Sequence, residues 1–269
     1  MDNIYSPQPV KILEVKKHTH LEHSFLVDYP LKNEPGRFAM VSLPGAGEVP
    51  ISISGFKSEG IELTIRNAGK VTSAIFDTKA GSYLYVRGPY GSTFPVEKFF
   101  GEHLLVVAGG SGIAAAKPLI EYFHGPGECT LKKLDILVGF RSSKHILFKK
   151  TLDEWNRWAK NCKVILTVDI HEDEDEEWKG HIGFVTQYLS HIESLGSKTQ
   201  CVVVGPPKMM SNTVMELFDY GVNAGNIWLS FERHMKCGMG KCGHCRIRDK
   251  YVCVNGPVFN YLEAKELVD

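Results

Sequence analysis

Through the first hundred residues the apolar positions come in short bursts. Val10–Lys16, Ser24–Val27, Phe38–Leu43, Ile51–Ser54, Ile61–Ile65 and Ser82–Arg87 are runs rich in β-branched or aromatic residues. Turn formers separate them: Pro35-Gly36, Pro44-Gly45, Gly60, Gly81 and Gly88-Pro89. Short strands spaced roughly 8–15 residues apart predict a barrel or a sandwich. A single helical piece, Val71–Asp77, interrupts them.

Past Phe100 the period changes. His103–Ala108 is a continuous apolar run that ends in Gly109-Gly110-Ser111-Gly112, and a helix-forming stretch, Ile113–Phe123, follows. Leu134–Gly139, Lys163–Val168 and Thr199–Gly205 read as buried strands. Leu152–Ala159, Phe184–His191 and Lys208–Tyr220 read as helices between or after them. Unbroken apolar strands alternating with helices predict a parallel sheet covered on both faces. Asn226–Glu232 reads as a last strand. The expected division is a barrel or sandwich over 1–100, which the family resemblance given below makes a β-barrel, an α/β domain over 101–225, which it makes nucleotide-binding, and a small C-terminal module over 226–269.

That last module carries the densest chemistry. Cys237, Cys242 and Cys245 stand in C-x4-C-x2-C spacing, and Cys253 follows. This is the ligand pattern of plant-type [2Fe–2S] clusters. Gly238, Gly240 and Gly243 free the loop to turn tightly and aim its sulfurs inward. A zinc site, the first alternative, usually shows two short Cys or Cys/His pairs, and Cys253 has no such partner. A structural or disulfide role is the other alternative. The opening residues, Met1 to Pro7, lack a basic and then apolar leader, so a reducing cytoplasmic setting is expected and disulfides are not.

Charge narrows the choice by subtraction. Lys plus Arg and Asp plus Glu both number 31 in a chain of 269 residues, which gives no support to nucleic-acid binding. No apolar run reaches the roughly 18–20 residues of a membrane helix. The acidic run from His171 to Glu177 reads as a solvated loop. The 11 histidines are scattered, and no catalytic acid or base is expected among them.

Four further segments suit ligands. Gly109, Gly110, Gly112 and Ile113 form a strand–glycine–helix turn, where free N–H groups and a helix N-terminus favour a diphosphate. Pro50, Ile51, Ser52 and Ile53 open a strand after a glycine-rich loop. Thr64, Ile65, Arg66, Gly69, Val71 and Thr72 make a strand end, a turn and a helix start, with Arg66 as a counter-charge and Thr72 as a hydroxyl donor. Gly205, Pro206 and Met209 close another strand at the kind of edge where open sheets bind ligands. Each segment also has a structural reading, as an ordinary turn, an edge strand or core packing.

Taken in order, P-I-S-I, R-x-x-G-x-x-T, G-G-x-G-I-A, G-P-P-x-M-M and C-x4-C-x2-C resemble the ferredoxin–NADP reductase superfamily over essentially the whole chain. Within it, the chain is similar to the group of dihydroorotate dehydrogenase electron-transfer subunits, sulfhydrogenase gamma subunits and the FAD- and NAD-binding electron-transfer subunits of anaerobic sulfite reductases. Glu48–Ser54, Glu232–Cys245 and Lys250–Phe259 look most like the last of these. The resemblance implies FAD on the barrel, NADH on the α/β domain (NADPH is the alternative, with Arg141 as a candidate contact) and a [2Fe–2S] cluster on the four cysteines. It further implies electron transfer to a [4Fe–4S] subunit and a sirohaem catalytic subunit that reduces sulfite. The alternatives are a hydrogenase partner or a stand-alone NAD(P)H–ferredoxin reductase. One position departs from the superfamily: Val49 stands where an arginine usually precedes the P-I-S-I strand and pairs with the flavin diphosphate.

Overall fold

The structure is a computed structural model that describes residues 5–125, 128–158, 161–171, 180–265 and 267. It divides into two compact units, Met1–Thr93 with Glu232–Pro257, and Phe94–Phe231 with Val258–Asp269. The stretch expected as a separate module over 226–269 is thus shared between the units. The acidic run beyond His171 lies outside the described residues.

In the first unit six strands close a barrel: β1 (Gln8–Lys17), β2 (Glu22–Val27), β3 (Phe38–Leu43), β4 (Gly47–Lys57), β5 (Gly60–Arg66) and β6 (Tyr83–Tyr90). The spatial order is β1-β2-β5-β4-β3-β6, and the paired strands are antiparallel. Closure follows from the period of two. On β5, Ile61, Leu63 and Ile65 are fully buried, whereas Glu62 and Thr64 between them are not. Val10, Ile12, Phe25, Val27, Val41, Ile53, Leu84 and Val86 fill the same interior. A bulge between Ile53 and Gly55 lets β4 bend around the barrel. The short helix α1 (Lys70–Phe76) adds Ile75 to this core.

The second unit is a seven-stranded sheet. Its strands are β7 (His103–Gly109), β8 (Lys133–Phe140), β9 (Cys162–Val168), β10 (His181–Ile182), β11 (Gln200–Val204), β12 (Ile227–Ser230) and β13 (Val258–Asn260). They lie in the order β10-β9-β8-β7-β11-β12-β13. All pairings are parallel except β12 with β13. Every residue of β7 is buried, as a central strand covered on both faces requires. Helices α2 (Gly112–Phe123), α3 (Lys149–Trp158) and α4 (Pro207–Asp219) follow β7, β8 and β11. The direction of strand order switches at β7, so the crevice beside its carboxyl end is the natural ligand site.

Two elements differ from expectation. Val185–His191 is a 3-10 helix rather than an α-helix. It starts on the β-branched pair Val185-Thr186 without a side-chain cap, and β-branched residues lose rotamer freedom in a helix. The antiparallel strand β13 is contributed from beyond the cysteine segment, and no local sequence signal marks it. Among the described residues no helix is long and apolar enough to cross a membrane.

Candidate cofactor and electron-transfer sites

The cysteine loop belongs to the barrel's unit. Gly238, Gly240 and Gly243 all take positive φ, 70°, 73° and 80°, which lets the loop fold back on its own sulfurs. The Cys237 sulfur accepts backbone N–H groups from Met239, Lys241 and Cys242 at 3.5, 3.4 and 3.4 Å. The Cys253 sulfur accepts one from Gly240 at 3.2 Å. Such donors favour thiolate over thiol. Cys245 and Cys253 are buried with their sulfurs 3.3 Å apart, whereas Cys242 is exposed. A four-coordinate ion with metal–sulfur bonds of ~2.3 Å holds two of its sulfurs ~3.8 Å apart, so this pair suits neighbouring ligands of one metal.

The thiols are electrostatically unequal. The backbone N–H of His244, then contacts from Cys237, bring the Cys242 thiol down to about 7. Burial, then the hydrogen bond with Cys245, pushes Cys253 up to about 12. Among the described residues no three His, Cys, Asp or Glu side chains converge on a single-ion site. Four sulfurs, with backbone N–H groups turned onto two of them, fit an iron–sulfur cluster.

Arg87 fastens this loop to the barrel. It lies on β6 with 6% of its side chain exposed. Its Nε and Nη2 donate to the Glu48 carboxylate at 2.7 and 2.5 Å. Nη1 donates to the Tyr90 hydroxyl at 3.0 Å and to the Cys237 carbonyl at 2.9 Å. The bond with Glu48 raises the guanidinium well above its ordinary range. Glu48 in turn adjoins Val49 and Pro50, the start of the segment expected to meet the flavin diphosphate.

On that barrel edge the expected ligand residues separate into two sets. Ile53 and Ile65 are buried in the barrel core, with Ile51 and Val71 packed against it, so their side chains are occupied by packing. Thr64 accepts or donates at 2.7 Å with both Ser24 and Ser54. Thr72 caps its own helix: its hydroxyl accepts from the backbone N–H of Ala68 and Gly69 and donates to the Gly69 carbonyl, each at 3.0 Å. Arg66 is already paired with the nearly buried carboxylate of Glu22 at 3.2 Å. The expected roles of Thr72 as a donor and Arg66 as a counter-charge therefore compete with bonds the protein makes itself. Pro50 and Ser52 alternate with the core residues and stay partly exposed. Gly69 has an ordinary extended φ of −178°, and a Cβ there would meet nothing within 4 Å. Neither backbone nor packing demands glycine at that helix start, which leaves room for a phosphate to approach.

In the second unit a cleft of about 600 Å³ opens at the carboxyl ends of the sheet, a size ordinary for a cofactor site. Gly109, Gly110, Arg141, Pro206 and Met209 line it together with Asp169 and Lys208. The glycines serve different ends. A Cβ on Gly109 would meet the Met209 sulfur at 2.5 Å, and one on Gly112 the Val204 carbonyl at 2.6 Å, so both permit close packing. A Cβ on Gly110 meets nothing within 4 Å, and its φ of 54° suits glycine. Gly205, at φ 158°, lies against Gly109. Ile113 is fully buried in the core and offers only its backbone. Ser142 is buried and bonded to His145 Nδ1 at 2.8 Å. Loss of water around the Asp169 carboxyl lifts it above the usual range.

Sulfhydrogenase 1 subunit gamma of Pyrococcus furiosus is 35% identical over 97% of this chain and 93% of its own length. A probable electron-transfer subunit of dihydroorotate dehydrogenase B (NAD(+)) from Thermoplasma volcanium is 32% identical over 94% and 89%. The chain belongs to this family of electron-transfer subunits. Residues 106–214 match the oxidoreductase NAD-binding domain, and residues 232–265 match the iron–sulfur cluster binding domain of dihydroorotate dehydrogenase B. The fold is shared with the NADH-dependent reduced ferredoxin–NADP oxidoreductase, at TM-score 0.76 and 24% identity over 97% of this chain and 89% of that one. It is also shared with the cytochrome b5 reductase domain of Ulva prolifera nitrate reductase, at 0.69 and 18% over 85% and 98%.

Two residues beside these sites, Arg87 and Asp169, went unread in the sequence, while Glu48 and Lys208 stood inside recognised motifs without a role of their own. Asp169 directly follows an apolar strand, a position that could have marked it. Arg87 had no such signal, because its partners lie 39 and 150 residues away.

Proposed function

We propose that this chain is the NADH-oxidising electron-transfer subunit of a larger oxidoreductase. The observation that carries the reading is the cysteine loop fastened by Arg87 to the same barrel whose β4–α1 edge leaves room for a phosphate. Bound there, FAD would take a hydride from NADH and release electrons singly, and a [2Fe–2S] cluster would carry them one at a time. The protein supplies positions. Pro50, Ser52 and the turn at Gly69 would hold the FAD diphosphate, the four cysteines would hold the cluster, and the cleft at Gly110 would hold NADH. Asp169 favours NADH over NADPH, because a carboxylate accepts bonds from ribose hydroxyls and repels a 2′-phosphate.

The partner expected from the loop motifs was a sulfite reductase with [4Fe–4S] and sirohaem subunits. Identity spread along the whole chain supports the alternative better. The two Pyrococcus furiosus sulfhydrogenase gamma subunits match at 35% and 33%, each over 97% of this chain. The favoured acceptor is therefore a hydrogenase-type partner, and the stand-alone ferredoxin reductase remains the contrast. Rapid mixing of the anaerobically reconstituted chain with NADH tests the core of the reading. Flavin absorbance should bleach first and the cluster signal should follow. Cluster reduction ahead of flavin, or one zinc per chain with no acid-labile sulfide, would overturn it.

A further inference from the structure

The neutral chain hides a segregation of charge. Between Glu232 and Pro257 stand Arg233, Lys236, Lys241, Arg246, Arg248 and Lys250, against only Glu232 and Asp249. The segment that carries all four cysteines is therefore net positive, and the remainder of the chain is net negative by the same amount. All of these cations are exposed except Lys250, which is half-buried. They interleave with the ligands. Lys241 precedes Cys242, Arg246 follows Cys245, and a tight hairpin pairs Arg246 with Tyr251 and Ile247 with Lys250 just before Cys253. Arg248 sits at the tip of that hairpin with φ 50°, and Arg246 Nε donates to its carbonyl at 2.5 Å.

The cysteines themselves show which side of the loop is open. Cys245 and Cys253 are buried, and Arg87 of the barrel bonds the Cys237 carbonyl. Cys242 is the exposed one, beside Gly243, where a Cβ would meet nothing within 4 Å. The sulfur that reaches solvent thus belongs to the segment that carries these exposed cations.

We infer that the Cys242 edge is a docking surface for an acidic protein face carrying a one-electron acceptor. The inference rests on the electron-transfer reading above and adds the chemistry of the partner. Charge of this density steers encounter and raises association rates, with a steep dependence on ionic strength. Each encounter moves one electron: the cluster is oxidised by one and the acceptor's iron centre is reduced by one. The two electrons of one NADH therefore serve two encounters.

The test uses the full chain with its cluster loaded and a small acidic ferredoxin as the probe, with binding read by calorimetry at low and high salt. Duplex DNA, anionic vesicles and basic cytochrome c serve as controls. Wild type should bind the ferredoxin and lose about tenfold or more in affinity between 20 and 300 mM NaCl. The double variant Arg246→Glu/Arg248→Glu should weaken low-salt binding about tenfold or more, with iron content and NADH-driven cluster reduction unchanged. If that variant does not load, Arg246→Gln/Arg248→Gln removes the same charges with less repulsion and should weaken binding in the same direction. Unchanged affinity in a loaded variant, absence of binding, salt-independent binding, or equal binding of DNA or vesicles would overturn the inference. Loss of NADH-driven cluster reduction in wild type sinks the electron-transfer reading instead, and binding sees nothing of that failure.

Discussion

Arg87→Met replaces a guanidinium by an apolar chain of similar length and keeps the barrel packed. It removes two charge-assisted bonds to Glu48 and one each to the Tyr90 hydroxyl and the Cys237 carbonyl. It also leaves the Glu48 carboxylate without its cation. Removing one partner of a buried pair costs about 3–5 kcal/mol. Here Glu48 keeps 25% of its side chain exposed, so water can partly replace the lost donors. A cost of about 2–4 kcal/mol follows. At about 2–4 °C per kcal/mol, a central 3 kcal/mol lowers the midpoint by roughly 6–12 °C. Calorimetry of the cluster-loaded protein measures it, with iron and sulfide per chain measured alongside. Iron retention should fall as well, because the loop loses its hold at Cys237. The cycle with Glu48→Gln separates pairing from packing. The double variant should be less destabilised than the two single losses added together, by about 1–3 kcal/mol. A midpoint within about 1 °C of wild type, or strict additivity, would show that the guanidinium holds nothing.

Asp169→Ser should raise the NADPH-to-NADH ratio of kcat/KM about 10- to 100-fold, since each ~1.4 kcal/mol of relieved repulsion is tenfold; an unmoved ratio would remove Asp169 from the ribose site. Gly112→Ala drives a Cβ to 2.6 Å from the Val204 carbonyl and should cost about 1–3 kcal/mol by denaturant titration, whatever the ligand. Gly110→Ala meets no atom and should cost about 1–2 kcal/mol through its positive φ, while NADH titration shows a loss of binding that Gly112→Ala does not share in kind. His23 stacks on Phe76 at 4.0 Å, and its Nδ1 has no hydrogen-bond partner among the described residues. Burial, then Lys17, lowers its pKa below 6.5, so the unfolded chain binds the proton first. Its contribution to stability is full above pH 6.5 and fades as pH falls towards the folded value, and His23→Leu should flatten that acid slope in midpoint measurements at pH 5.5 and 7.5.

The sequence made the strands of both units legible because burial imposes a period. Ile61, Leu63 and Ile65 alternate on the barrel wall, and Leu104–Gly109 is apolar throughout because the sheet covers both its faces. Strand spacing left barrel and sandwich open, and only the family resemblance pointed to closure, which depends on the pairing of β1 with β6, more than 60 residues apart in the chain. The addition of β13 to the sheet was hidden for the same reason. The cysteine loop could be read at once, because metal chemistry fixes ligand spacing. Its place in the barrel's unit could not, because that depends on one arginine bonding a carbonyl 150 residues away. The partner was misjudged in emphasis. Loop motifs pointed to sulfite reductases, whereas similarity carried by the whole chain favours sulfhydrogenases.

Motif reading also assigns too much to ligands. A hydroxyl or a cation beside a glycine turn can serve a phosphate, yet the protein's own backbone competes for it. Thr72 spends its hydroxyl on Ala68 and Gly69, and Arg66 meets Glu22. The turn after β7 divides in the same way. Gly109 makes room for Met209, and Gly112 makes room for the end of β11. Only Gly110 combines open space with a backbone angle that excludes most side chains. Gly69 at the barrel edge differs from it, because an ordinary φ and empty surroundings give the fold no reason of its own for glycine there. A glycine that neither packing nor backbone explains, as at Gly69, is one whose replacement should reach a ligand directly.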